Sequence, residues 1–300
     1  MGIPTASYRA LCALKQRRYT LSPISSLPTE VIAAIFYLLR EEPDIYLALP
    51  VVHVCHRWRE IALTHPLFWS HLDLTTVSPA GATEILSRAG MVPLLYLEAE
   101  IPWAAYLWDD TRFDAIQLEL QIHVSHMYRL SISAESIRLR KTLEGLVLPA
   151  PTFRYFSLSI EKPSRTIVPE TLFDGTTTKI SSLELCNCKI SWKSPLLEGL
   201  KNLTITLSVS ASLTPSLTDW LDALDKIPQL QTLLLHPASP YAPYFPFDVE
   251  RTATLPSLAR FDISSSELDC ALALAHLVLP SLESLCITTT SDEPTVDKVQ

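Results

Sequence analysis

The sequence predicts an α/β protein: a small all-α segment near the N-terminus, followed by an irregular array of short parallel strands joined by helices. Three observations carry that reading. Residues 24–74 hold apolar stretches of helical character around Pro28 and Trp58. From Trp69 onward one pattern, apolar-x-x-apolar-x-apolar, returns nine times. Between its copies lie segments of helical period.

Residues 1–20 carry Arg9, Lys15, Arg17 and Arg18 with no acid, which reads as a solvated basic tail. Pro28 fits the first position of a helix, where a missing N–H costs nothing, and Glu30 suits the positive end of the helix dipole. The helix then runs Val31 to Leu39 without a charge. Its large residues cover an arc of about 160° at about 100° per residue. A domain of about fifty residues cannot bury so much apolar surface alone. Part of this face is therefore covered by a partner or by the remainder of the chain. The next apolar run, Ile45 to Val54, is broken at Pro50 and leads into a helix over His53–Ala62. There Val54, Trp58, Ile61 and Ala62 share one side, with Arg57, Arg59 and Glu60 toward water. Cys55 reads as a small buried hydrophobe.

Leu27-Pro28, Ile35-Phe36, Cys55-His-Arg-Trp58-Arg59 and Leu67-Phe68-Trp69, in that order, resemble the F-box, the adaptor-docking domain of Skp–cullin–F-box ubiquitin ligases. The residue pattern alone also accommodates a generic three-helix bundle. The resemblance covers about fifty residues, and the box is expected over residues 21–68. It implies docking on a Skp-type adaptor and, through it, a cullin. By resemblance the contact residues are Leu27, Pro28, Val31, Ile35 and Val54, with Trp58 locking the box core. One departure is Arg40-Glu-Glu-Pro-Asp44 with Tyr46 and Pro50, where the family's second helix usually begins. A short or irregular helix is expected there.

The nine repeats begin at Trp69, Val92, Met127, Phe153, Ile180, Leu200, Leu230, Leu258 and Leu282, spaced 20 to 35 residues apart. Three share a lead-in: Ile227-Pro-Gln-Leu230, Leu255-Pro-Ser-Leu258 and Leu279-Pro-Ser-Leu282. In each copy the last two apolar residues alternate with other positions, so a short strand points them inward. Helices are expected at Thr83–Ala89, Thr111–Met127, Glu135–Leu146, Ser216–Ile227 and Glu267–Val278, covering one side of a parallel sheet. The array, expected over residues 69–290, resembles a leucine-rich-repeat solenoid, a parallel-sheet horseshoe in which stacking supplies the core. A generic domain of alternating strands and helices fits the same residues. The resemblance is degenerate. Regular repeats carry Asn three residues past the last strand leucine, whereas this chain has only Asn187 and Asn202, and Cys188 occupies that place in one repeat. Residues 291–300 carry no apolar periodicity and read as a tail.

A net charge of −8 with 24 Lys plus Arg argues against nucleic-acid binding. No apolar run reaches membrane-spanning length, the N-terminus lacks a signal-peptide core, and Met1-Gly2 lacks Ser or Thr at position 6. Six cysteines without a disulfide framework point to a reducing compartment, cytoplasm or nucleus. The six glycines form no phosphate-binding loop. His53, Cys55 and His56, and separately Cys186 with Cys188, are the best metal candidates, and neither group completes a ligand set. No catalytic residue, metal or cofactor is expected.

The two resemblances together imply a substrate receptor of a Skp–cullin–F-box ligase, with a target protein held by the repeats. The alternative is a non-catalytic interaction scaffold outside a ligase. In a parallel solenoid the residues alternating with the buried pair form the binding face, which nominates Arg129, Tyr155, Glu184, Arg260 and Asp262 for the target. Arg129 and Arg260 together would suit a phosphate. The loop Pro237–Phe247, rich in proline and aromatics, is a second candidate surface.

Overall fold

A computed structural model describes residues 10, 13–14, 17–18, 21–39, 49–93, 96–101, 110–160, 166–175, 179–208, 216–238 and 251–289. The chain divides into two compact units, residues 1–98 and 99–300.

The first unit contains helices α1 (Thr29–Leu38), α2 (Val51–Val54) and α3 (His56–Thr64), strand β1 (His71–Asp73), helix α4 (Pro79–Ala89) and the start of strand β2 (Tyr96–Ile101). Pro28 is the N-cap of α1 rather than its first helical residue. Alpha-helical spacing brings Ile32, Ala33 and Phe36 inward together. Phe36 meets Trp58 and Phe68 edge-on, with ring centroids at 5.1 and 6.1 Å. Such aromatic pairs contribute about 0.5–1.5 kcal/mol each beyond their buried area. The Trp69 indole N–H donates to the Ala62 carbonyl at 2.9 Å. Trp69 thus ties the 3₁₀ turn Pro66–Trp69 to α3.

Two local expectations are corrected. The helix expected over His53–Ala62 is broken at Cys55, whose backbone is extended (φ −157°, ψ 170°). Val54 therefore ends the one-turn helix α2 and is exposed instead of sharing the buried side of α3. Arg57 is half-buried and does not point simply to water. Its Nη2 donates to the Leu27 carbonyl at 2.6 Å, and its Nη1 donates to the Ser25 carbonyl. The irregular stretch expected near Arg40–Asp44 lies outside the described residues. After the 3₁₀ turn the chain enters β1 directly. β1 pairs with β2 in parallel, Leu72 opposite Leu97, and Leu74 N donates to Glu98 O at 2.8 Å.

In the second unit strands alternate with helices or tight turns. They are α5 (Asp110–His123), β3 (Arg129–Ala134), α6 (Ser136–Gly145), β4 (Tyr155–Ser159), β5 (Ser182–Cys186), β6 (Asn202–Thr206), α7 (Leu217–Leu224), β7 (Thr232–His236), β8 (Ala253–Thr254), β9 (Arg260–Ser265), α8 (Glu267–Ala275), β10 (Leu277–Val278) and β11 (Ser284–Thr289). Every adjacent pair from β3 through β7, then β7 with β9 and β9 with β11, is parallel. The register stacks like on like. Leu130, Phe156, Leu183, Leu203, Leu233 and Phe261 form one buried row, and Ile132, Leu158, Leu185, Ile205, Leu235 and Ile263 form the next. These are the positions the repeats place inward. In β11 the corresponding Leu285 and Ile287 are 46% exposed.

Helices α6 and α8 pack against β3 and β9. Ser216 and Ser266 start α7 and α8 by accepting from the N–H of Asp219 and Asp269, three residues on, as a capping serine does. The helix expected over Thr111–Met127 stops at His123 and continues as a 3₁₀ turn. That expected over Glu267–Val278 stops at Ala275, because Leu277–Val278 pairs instead with β8 as a small second sheet. Among the described residues between β4 and β6 the connections carry short 3₁₀ turns and no α-helix. Phe153, Phe156 and Phe173 fill that region with ring centroids 4.9–5.5 Å apart.

One asparagine bridges neighbouring repeats. Asn187 adopts a left-handed backbone (φ 55°), which asparagine tolerates better than most residues. Its Nδ2 donates to Ile160 O at 2.8 Å, and its Oδ1 accepts from Ser208 N at 2.9 Å. The bridging residue is thus Asn187, one place earlier than the expected position, where Cys188 is buried. Asn187→Ala leaves two backbone groups without partners and puts at that φ a residue that tolerates a left-handed backbone less well than asparagine. It is expected to destabilise the second unit by about 2–5 kcal/mol in urea unfolding. Asn187→Gly, which relieves the backbone, is expected to cost less than Asn187→Ala. Equal losses for both would leave the left-handed backbone without energetic weight.

Candidate functional site

Two surfaces carry exposed residues that the fold does not consume. The first lies on the first unit. Because α1 turns Ile32 and Phe36 inward, Val31, Ala34 and Leu38 fall on the outer side. Val31 and Leu38 are 42% and 61% exposed, and Leu39 just beyond is also exposed. Pro28 is exposed, while Leu27 and Ile35 are half-buried. The Arg57 guanidinium, anchored on α3, holds the backbone of Ser25 and Leu27 ahead of this stripe. Val54 is exposed at 40% on α2. Four of the five expected adaptor residues therefore run along Leu27–Ile35, and the fifth stands on a separate turn. Arg57 was missed by sequence reasoning, and its position beside buried-side Trp58 gives no sign of a backbone partner thirty residues away.

The second surface is the face of the second unit's sheet away from the buried rows. One register row carries Arg129, Tyr155, Ser182, Asn202, Thr232 and Arg260, and the next carries Ser131, Ser157, Glu184, Thr204, Leu234 and Asp262. The five expected target residues form two separate groups. The Arg129 guanidinium lies 3.9 Å from the Tyr155 ring centre, and the Tyr155 hydroxyl donates to Glu184 at 2.5 Å. Burial, together with the Glu184 carboxylate, raises the Tyr155 pKa and keeps it a donor. On β9, Arg260 holds Asp262 Oδ2 through Nε and Nη2 at 3.1 and 2.6 Å. Asp262 is only 7% exposed. Arg129 and Arg260 stand five strand steps apart, about 24 Å at about 4.8 Å per step. One phosphate cannot bridge them, which removes that expected arrangement. Of the Pro237–Phe247 loop, residues 239–247 lie outside the described residues.

Comparison with known families bears on the first surface. The family described as F-box-like matches residues 24–75. Residues 24–75 are an F-box-like domain. The match runs from Ile24 through α1, α2, α3 and β1 to Thr75. A search of curated proteins finds no match to the chain.

The described residues, His53, Cys55 and His56 included, hold no group of three or more His, Cys, Asp or Glu placed to share a metal ion. Burial pushes the Cys188 thiol up to about 12, so it stays protonated at neutral pH and is no nucleophile. Its Sγ donates to the Cys186 carbonyl at 3.4 Å, a structural role. At the C-terminal end of α5, Glu119, His123 and His126 lie close together. His123 Nδ1 and His126 Nε2 are 3.0 Å apart, and His123 Nε2 stands 3.4 Å from Glu119. The two contacts use opposite nitrogens of His123, so the three side chains do not converge on one point. His126 is buried, and its Nδ1 has no partner among the described residues.

Burial lowers the pKa of both histidines, with Glu119 partly opposing this for His123 and the His123 charge adding to it for His126. The folded chain therefore resists a second proton on the pair. A group whose folded pKa lies below its unfolded value binds more protons when unfolded as pH falls. The pair's contribution is fully present at pH 7.5 and is lost as pH drops below the ordinary histidine value of 6.5. Urea midpoints are expected to fall between pH 7.5 and 5, and the drop should shrink in His126→Gln. A variant as acid-sensitive as the native chain would place the sensitivity elsewhere.

Proposed function

We propose that the chain is the substrate-receptor subunit of a Skp–cullin–F-box ubiquitin ligase, working in the cytoplasm or nucleus. The box docks a Skp-type adaptor, and the second unit, a degenerate leucine-rich-repeat array, holds the target protein. F-box domains generally bind Skp-type adaptors, and the F-box-like match supports a ligase-adaptor or protein-interaction role. The observation that carries the reading is the apolar stripe of α1, exposed beside Leu27-Pro28 within the matched segment. Covering that stripe removes apolar area from water at about 25 cal/mol per Å², a favourable term for association. The repeat reading of the second unit draws support from like-on-like parallel register and from Asn187 bridging adjacent repeats. The chain performs no chemistry of its own in this scheme. Ubiquitin transfer occurs on other subunits, and this chain sets where the target stands.

Leu27 and Pro28, with Val31, Ile35 and Val54, make the adaptor contact. Replacing Leu27 and Pro28 together by Ala is expected to reduce adaptor co-purification at least about tenfold, equivalent to about 1.4 kcal/mol or more. Circular dichroism and the unfolding midpoint of the second unit should stay unchanged. Undiminished adaptor capture by this variant would overturn the docking assignment. A cullin in the same purification separates a ligase subunit from a scaffold that acts outside one.

A further inference from the structure

Among the described residues β11 ends the main sheet of the second unit, pairing with β9 on one side and with no strand on the other. Register sets Leu285 beside Phe261 and Ile287 beside Ile263, the two inward positions of the repeat. From β3 to β9 those positions are 0–4% exposed. In β11 both are 46% exposed, and all six residues of the strand are open to solvent. The helix over this edge is uncovered as well. α8 contacts both β9 and β11. Past Asp269 it carries no charge, and Leu268, Ala271 and Ala275 are exposed while Leu272 and Leu274 are half-buried.

Sheets guard such an edge with lysine, proline or a bulge, because unpaired N–H and C=O groups beside apolar side chains invite another strand. Ser284-Leu-Cys-Ile-Thr-Thr289 has neither charge nor proline. Residues 290–300 contain two aliphatic residues, Val296 and Val299, where a further apolar-x-x-apolar-x-apolar unit needs three.

We propose that β11 is a self-association edge: a second copy of the chain adds its own β11 antiparallel to the first and closes a dimer with one continuous sheet. The inference does not rest on the substrate-receptor reading. The strand matches itself. Directly opposed residues of an antiparallel pair share a face, so an inward residue must oppose an inward one. A two-fold axis centred on Cys286 achieves this along the whole strand. Leu285 then opposes Ile287 of the second copy, Ser284 opposes Thr288, and Glu283, the charge next to the strand, falls opposite Thr289. No like charges meet, and both apolar rows continue across the seam. A charged partner strand would find no counter-charge here.

The helices fit the same arrangement. An axis perpendicular to the sheet keeps both copies of α8 on one face. Each lies over its β9–β11 pair, so the two stand two strand steps apart, about 10 Å at about 4.8 Å per step. Packed helices are separated by about 8–10 Å, so the two apolar helices meet over Leu285 and Ile287. An isologous contact of this kind closes at two chains and does not grow into a fibre.

The test uses the full chain. Light scattering after size exclusion is expected to give twice the chain mass of 33.5 kDa at about 100 µM chain. Diamide, which takes up the two protons and two electrons released as two thiols join, should link the dimer through Cys286. In this register the two Cys286 Cα atoms lie about 4.5–5.5 Å apart, within disulfide reach. Cys286→Ser should stay dimeric and lose the link. Leu285→Lys combined with Ile287→Lys sets like charges opposite each other and should raise the dimer dissociation constant at least about tenfold. Its circular dichroism should match that of the native chain, since both positions are already open to solvent in a single copy. A native chain that is monomeric at that concentration overturns the proposal. A dimer that survives the lysine pair, or one that forms no Cys286 link, does so equally. If a dimer appears only when residues 291–300 are deleted, the chain's own end occupies the edge and the proposal fails.

Discussion

No strand of the second unit can satisfy its own backbone or bury its own apolar pair, and that dependence organises the unit. Each strand is five or six residues in the main run, with the inward positions near zero exposure from β3 to β9. Its N–H and C=O groups pair with the strands on either side, and its two apolar side chains stack on those of its neighbours. Slipping one strand by a single residue would exchange the buried rows for the hydroxyl rows. Register is therefore strongly specified, and it fixes more than the core. The same alignment places Arg129 beside Tyr155 and sets Arg154, Ser181 and Lys201 side by side at the strand starts.

Charged groups on the two edges of this register differ in how far their charges are already satisfied. On the open face Arg129, Tyr155 and Glu184 form one chain of contacts, and Arg260 closes on Asp262. A ligand that broke either group would lose charge-assisted contacts before gaining its own. At the strand starts Arg154 is anchored through one nitrogen, and Lys179 and Lys201 are exposed.

The first unit solves a different problem. Its aromatic cluster of Phe36, Trp58, Phe68 and Trp69 is small, and α1 carries more apolar surface than the cluster covers. Arg57 gives the unit a polar lock between α3 and the segment ahead of α1. A guanidinium bonded to two carbonyls holds Leu27 and Pro28 in place without hiding them. The surplus apolar stripe and the fixed leader segment lie on the F-box-like domain.

Much of this was decided by the sequence alone. Period-two apolar pairs located all the strands of the main run, because alternation is a local property of a pleated backbone. Pro28 and Glu30 marked the beginning of α1, because the effects of a helix end reach only a few residues, whereas the capping bonds of Ser216 and Ser266 emerged from the structure. The order Leu-Pro, Ile-Phe, Cys-x-x-Trp-Arg and Leu-Phe-Trp was enough to point to the box. Long-range partners were decided only by the tertiary structure. The Arg57 contacts span about thirty residues, and Asn187 reaches back to Ile160 and forward to Ser208. Whether Arg129 and Arg260 were neighbours or five strands apart depended on the sheet order, as did the grouping of Arg154, Lys179 and Lys201. A residue's neighbours along the chain constrain its backbone, but its charge partners are chosen by register, which no short window of sequence contains.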